Sequence, residues 1–352
     1  MSNRGQSRIL RNRIVDNGNG LAMHVLEAGE PGRPGVLLLH GFPELAYSWR
    51  KVMLPLAAAG FHVVAPDQRG YGRTTGWDAA YDGDVDSFRL LNLVRDAQGL
   101  VSALGWGTVA AVVGHDFGAS VAANCALVRP DVFRSVVLMS APFGGPPMRD
   151  IDAALAALPR PRKHYQWYYS TREANGDMWH CAQGVHAFLR AYFHMKSADW
   201  PGNKPFRLAS WSAAELARMP TYYIMDLHRT MAETVAPEMP AEPAAWLTET
   251  ELAVYSAEYE RTGFQGGLQW YRCRTEGRNK DLDAFGRTVD VPSAFIAGRS
   301  DWGICQVPGA IEAMQETACS RMRGCHLLEG AGHWVQQEKP EEVVRLLLEF
   351  LA

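Results

Sequence analysis

The chain has 352 residues, 47% of them hydrophobic and 21% charged, with a formal net charge of −3. That length supports one large core, or a core with a lid, and so small a charge gives neither nucleic acid nor an anionic membrane a reason to bind. Six scattered cysteines (125, 181, 273, 305, 319 and 325) with no C-x-x-C pair argue against a zinc site and a dense disulfide framework. The arginine-bearing N-terminus lacks an apolar run of signal-peptide length, and no stretch of about 18 apolar residues occurs. A soluble cytoplasmic protein of reduced thiols is the expectation, with self-association as a homodimer left open.

In chain order, short apolar β-type runs at 21–29, 35–41, 61–67, 109–116 and 134–142 alternate with helical patterns, as a parallel sheet with crossover helices requires. Between the second and third, Trp49, Val52, Met53 and Leu56 recur at helical spacing before Gly60. Helices are predicted over 87–104 and over 117–129, the latter ending before Pro130. The same grammar resumes with a strand at 291–298, a helix around 308–322, a strand at 325–330 and a terminal helix opened by Pro340, Glu341 and Glu342. The reading is an α/β fold: a mostly parallel sheet flanked by helices, formed by 1–145 and 287–352. The interruption, 146–286, reads as an inserted helical cap. It carries nine of the 12 tyrosines and six of the 11 tryptophans, and at the carboxyl edge of a parallel sheet it would roof a site.

The most informative stretch is Gly114-His115-Asp116-Phe117-Gly118, after a strand and before a helix. Small residues two places either side of the centre suit a tight turn that projects the central side chain from the sheet edge. A nucleophile there needs a histidine base, itself oriented by an acid. Asp301 and His333 each follow a late predicted strand, in the order nucleophile, acid, histidine. The loop after the strand 35–41, and the residue after the nucleophile, nominate the amides of Phe42 and Phe117 as an oxyanion hole. His115 reads as a structural hydrogen-bonder. His180, His186 and His194 lack metal-ligand spacing, so neither a metal nor a cofactor is expected.

An aspartate in this place suits attack on saturated carbon rather than on an acyl group. The product is an alkyl-enzyme ester, which water activated by His333 hydrolyses. An epoxide oxygen or a halide is the natural leaving group. HGFPE, DQRGYG, GHDFGA, the SDW carrying Asp301, and GHWVQQEKP resemble the α/β-hydrolase-fold epoxide hydrolases. The resemblance implies two cap tyrosines that assist ring opening: Tyr271 in GFQGGLQWYR and Tyr165 in YQWYY, where Tyr168 and Tyr169 are alternatives. The aromatic cap points to an apolar epoxide, aryl or bulky, with water as the other reactant, and Trp167, Trp270 and Trp302 are candidate substrate-site residues. The stretch 180–240, including HMKSADWPGN, departs from the family's cap pattern. Two alternatives stand: a haloalkane-type dehalogenase with the same three residues, although Phe42 and Phe117 stand where its halide-holding side chains are expected; and a hydrolase fold that binds a ligand without turnover.

Overall fold

The protein is described from a computed structural model covering residues 9–145 and 148–352; the first eight residues, with two N-terminal arginines, and the expected boundary at 146 lie outside it. An eight-stranded sheet runs in the order β1 (Arg11–Asp16), β2 (Ala22–Ala28), β4 (His62–Pro66), β3 (Gly35–Leu39), β5 (Val109–His115), β6 (Val136–Met139), β9 (Ser293–Gly298) and β10 (Met322–Leu328). From β4 to β10 all pairings are parallel. β2 joins β4, and β1 joins β2, antiparallel.

Alternation along the strands builds a core on each face. On one face Val36, Leu38, Val63, Ala111 and Val113 meet Trp49, Val52 and Leu56 of α1 (Arg50–Ala58) and Leu346 and Leu347 of the helix Pro340–Leu351. On the other, Leu37, Leu39, Val64 and Val112 meet α2 (Leu90–Ala103) and α3 (Phe117–Val128). The central strands are buried on both sides and therefore read as unbroken apolar runs. Burying each Val or Leu contributes roughly 1.5–3 kcal/mol.

Three elements differ from expectation. β1 is absent from the sequence reading because, of RNRIVD, only Val15 is buried. A polar edge strand leaves no apolar alternation to see. The predicted helix 308–322 is two short pieces, Ala310–Ala313 and a wide turn Met314–Ala318, and β10 starts at Met322 rather than 325. β10 is a half-exposed edge, so its polar residues hide its start. Finally, the inserted region is not wholly helical. It holds an antiparallel pair, β7 (Arg162–His164) and β8 (Ile224–Asp226), whose three residues each are too short to show a period.

Between β6 and β9 the principal helices are Tyr165–Tyr169, Gly184–Lys196, Glu249–Thr262 and Gln265–Thr275. Thr248 and Glu251 form a capping box that starts the third of these. The free oxygen of Glu251 then takes Arg50 Nε of α1 at 2.8 Å. Further along the same helix, Tyr255 meets the Ser48 hydroxyl at 2.8 Å and Tyr259 donates to the Glu44 carbonyl at 3.2 Å. One face of that helix thus fastens the inserted region to the core. Among the described residues no helix is long and apolar enough to cross a membrane.

Candidate active site

At the end of β5 the backbone turns through Asp116, whose φ of 52° and ψ of −122° are costly for a residue with a side chain. The flanking glycines make this turn feasible. A Cβ on Gly114 would lie 2.1 Å from the Gly118 carbonyl oxygen, and one on Gly118 would lie 2.3 Å from that of Leu39. The strain holds the Asp116 carboxylate above the sheet edge, at the start of α3.

Two further strand ends deliver its partners. Asp301, three residues beyond β9, is 1% exposed, accepts from the Gly303 amide at 2.6 Å, and places both carboxylate oxygens 3.1 Å from His333 Nδ1. His333 Nε2 lies 3.2 Å from Asp116 Oδ2, at an angle that misses a hydrogen bond. The other Asp116 oxygen, Oδ1, accepts from the Phe42 amide at 3.0 Å. Phe42 precedes a cis proline, Pro43. Phe117 opens α3, where its amide is among those the helix leaves unpaired. Thus Asp116, Asp301 and His333 are brought together, with the Phe42 amide against the carboxylate.

The His333 backbone is fixed from both sides. Its amide donates to the Lys196 carbonyl at 2.9 Å, and its carbonyl faces His115 Nε2 at 2.7 Å and accepts from the Ser140 hydroxyl at 3.0 Å. His115 Nδ1 meets Glu44 Oε2 at 2.6 Å, and that carboxylate also accepts from the Gly41 amide and from Gln336. His115 is therefore a strut between the loop after β3 and the base. Glu338 adds a clamp: it accepts from the amides of Gly332, Trp334 and, across the interface, Ala198, each at 2.9 Å.

Charge follows from this packing. Burial pushes the Asp116 carboxyl up, but the His333 imidazole 3.2 Å away, with help from Lys196, holds it well below the usual carboxylate range. Burial and the Lys196 ammonium pull His333 down, yet Asp301 and Asp116 outweigh both and leave it raised to about 9. The resting pair is a carboxylate facing an imidazolium.

Above Asp116 stand the tyrosines. The helix Gln265–Thr275 approaches the core so closely that a Cβ on Gly266 would lie 2.1 Å from the Gly70 carbonyl oxygen, and one on Gly267 2.8 Å from the Phe42 ring. Only glycines allow Tyr271 to descend until its ring lies 5.6 Å from Phe42 and 5.2 Å from Phe117, centroid to centroid. Tyr165 lies 6.0 Å from Tyr271; its hydroxyl accepts from Gln166 Nε2 at 2.9 Å and donates to Gln306 Oε1 at 3.5 Å, a long bond that a better acceptor can replace. Burial first, and the Asp116 charge second, push both phenols above their ordinary range, so both stay protonated at neutral pH. Of the alternatives to Tyr165, Tyr168 donates to Asp177 at 2.9 Å and Tyr169 to the Tyr192 hydroxyl at 3.3 Å. Tyr165 is the one of the three whose hydroxyl is not given to a carboxylate or another phenol.

The tryptophans divide. Trp270 packs between Tyr71 and Phe117 and donates its N–H to the Arg69 carbonyl at 3.0 Å, so it braces the wall from behind and has no donor for a ligand. Trp302 packs on Phe206, and its buried N–H meets no acceptor among the described residues. Trp167 lines a cavity of about 420 Å³ with Phe117, Asn124, Phe143, Gln166 and Arg274. Asp116, Tyr165, Tyr271 and His333 are not among its lining residues. It reaches the site through Phe117 and through Gln166, which holds Tyr165.

Sequence reasoning passed over Glu44, Gln166, Lys196 and Glu338. Glu44 stands inside HGFPE and Glu338 inside QQEKP, so the motifs contained the signal, but their partners lie far away in the chain. Lys196 sits in the divergent HMKSADW, where a lysine ending an otherwise apolar helix face was the available clue.

Comparison with known proteins agrees with this geometry. Residues 34–340 match the family described as alpha/beta hydrolase fold. The chain is 37% identical over 349 residues to epoxide hydrolase A of Mycobacterium tuberculosis, covering 96% of each protein, and 34% identical to epoxide hydrolase B of that organism, covering 95% and 96%. Among solved structures it resembles an epoxide hydrolase from an endophytic Streptomyces, with a TM-score of 0.80 and 34% identity over 98% of this chain and 96% of that one. It also resembles potato (Solanum tuberosum) epoxide hydrolase I, with a TM-score of 0.77 and 31% identity over 97% and 99%. With its elbow aspartate, its late Asp/His pair and near full-length likeness to these enzymes, the chain belongs to the α/β-hydrolase-fold epoxide hydrolases.

Proposed function

We propose that the protein hydrolyses an apolar epoxide to a vicinal diol through a covalent ester on Asp116. The observation that carries this reading is a single ionised carboxylate at a strained elbow, with two protonated phenols above it and an Asp-buttressed imidazole beside it. Asp116 Oδ2 attacks an epoxide carbon while Tyr165 and Tyr271 give a hydrogen bond, then a proton, to the departing oxygen. Asp116 Oδ1 becomes the ester carbonyl oxygen. Water deprotonated by His333, which Asp301 orients, attacks that carbonyl, and the amides of Phe42 and Phe117 hold the oxyanion. The tetrahedral species collapses, the alkoxide takes a proton, and the diol leaves. No cofactor enters this scheme.

Residues 146–286 act as the cap of a core formed by 1–145 and 287–352, and the aromatic walls, with Trp167 at the mouth, favour aryl or bulky epoxides. All six cysteines are unpaired, which suits a reducing, cytoplasmic setting. Single turnover in heavy-oxygen water is the direct test. Label should appear in the Asp116 carboxylate; label passing only into the diol would remove the covalent step.

One observation favours a second reading. The unengaged Trp302 N–H could hold a halide, whereas Trp270, Phe42 and Phe117 offer no side-chain donor. Paired assays on epoxides and haloalkanes, scored for diol and halide, separate the two readings, and no product from either would point to a ligand-binding protein.

A further inference from the structure

Lys196 is the last residue of the helix Gly184–Lys196 and is 3% exposed. A buried ammonium is expensive unless a carboxylate is in contact with it, yet its Nζ lies among rings, 5.4 Å from the centroid of Tyr192 and 5.3 Å from those of Tyr223 and Trp334. Asp116, Asp301 and Glu44 act on it from a distance. Its carbonyl receives the His333 amide, and the Trp334 ring it faces lies 4.7 Å from the His333 ring. The charge therefore belongs to the surroundings of the base.

We propose that Lys196 is a positioning residue that sets the protonation state of His333: its positive charge drives His333 to the neutral, proton-accepting form once Asp116 has become an ester. The proposal rests on the covalent mechanism above. In the resting site two carboxylates, Asp116 and Asp301, face His333 and keep it cationic. Esterification removes the charge of Asp116 and leaves Asp301 opposed by Lys196. His333 then releases its proton at the stage where it must accept one from water. The proton returns to the tyrosine that protonated the epoxide oxygen, so the cycle balances without an outside acid. Other groups around the base keep their state through this step. Esterification changes the charge of Asp116, while Glu44 meets His115 behind it and Tyr192, Tyr222 and Tyr223 stay neutral phenols; Glu338, whose carboxyl is raised to about 7 by burial, faces the Gly332 and Trp334 amides in every variant compared.

The test needs no substrate. Asp116→Asn imitates the neutral ester, and the His333 imidazole is followed by NMR titration, its resonance identified by its loss in Asp116→Asn/His333→Gln. Adding Lys196→Met should raise the His333 midpoint by about one pH unit or more, since the like charge that packs on the same Trp334 ring is removed. Adding Lys196→Arg should leave the midpoint near that of Asp116→Asn. An unmoved midpoint in Lys196→Met overturns the proposal, and Lys196→Gln repeats the measurement should the methionine variant fold poorly. In the otherwise native enzyme, Lys196→Met should form the alkyl-enzyme and shift the pH profile of its hydrolysis upward by a similar interval. An unshifted profile also overturns the proposal. Absence of any adduct in the native enzyme refutes the covalent mechanism instead, while the histidine titration still reads the charge effect.

Discussion

In the proposed mechanism His333 is a cation beside the resting carboxylate and a base beside the ester, and its neighbours decide when each form exists. His333→Gln should leave alkylation intact and stop the second half, so that the alkyl-enzyme accumulates and turnover falls at least ~100-fold, the usual lower scale of general-base catalysis. Mass spectrometry of the intact protein checks this, and an unmodified mass in the presence of substrate would contradict it. Tyr271→Phe should act on the other half, slowing alkylation roughly 100-fold while hydrolysis of preformed ester keeps its rate; stopped-flow measurement separates the two. At this scale Asp116, Asp301 and His333 were legible because each follows a strand end in a distinctive turn, and the structure places His333 3.2 Å from one carboxylate and 3.1 Å from the other. Lys196, Gln166 and Glu338 were not, because each acts through a contact with a distant segment that no local pattern encodes.

At the scale of elements, the descent of the helix Gln265–Thr275 onto the loop holding Gly70 decides where Tyr271 sits. Gly266→Ala would drive a methyl group into the Gly70 carbonyl and should lower stability by about 1–3 kcal/mol, the usual range for overpacking. It should also slow alkylation, since the phenol rises with its helix. Gly107→Ala, where a Cβ meets nothing within 4 Å, serves as the control in the same melting and rate measurements; equal effects at both positions would refute the close-approach argument. Glu338→Ala would orphan three amides at about 1–3 kcal/mol for each that stays dry, and should loosen the turn that carries His333. The glycine pair shows why element positions were only partly readable: GFQGGLQWYR announces a helix, but the contact with DQRGYG that sets its height is made across about 200 residues. The strand β1 and the start of β10 failed to show for a different reason, since both are edges whose polar faces carry no alternation.

For the whole molecule, the inserted region is bound to the core by charged and polar contacts whose strength follows pH. Burial pushes the Glu251 carboxyl up, but Arg50 draws it down to about 2. Its folded value is depressed, so its contribution is present above its ordinary 4.5 and is lost as pH falls through about 2. The His333 value is raised, so its contribution is complete below its ordinary 6.5 and is lost as pH rises through about 9. Melting temperature should therefore fall at both pH extremes, with Glu251→Gln flattening the acid arm and His333→Gln the alkaline arm; slopes unchanged in both variants would contradict this assignment. The alternation of strands and helices was enough to reveal the doubly covered sheet and the interruption, whereas the fastening between them depends on side chains far apart in sequence. The Glu338 carboxylate has a consequence for traffic. By grasping Ala198 and the His333 turn together, it forbids the roof to lift without dismantling the base. In the proposed reaction the cavity beside Trp167 is a route that leaves this fastening intact, and new selectivity is to be sought by recutting its walls, not by loosening the roof.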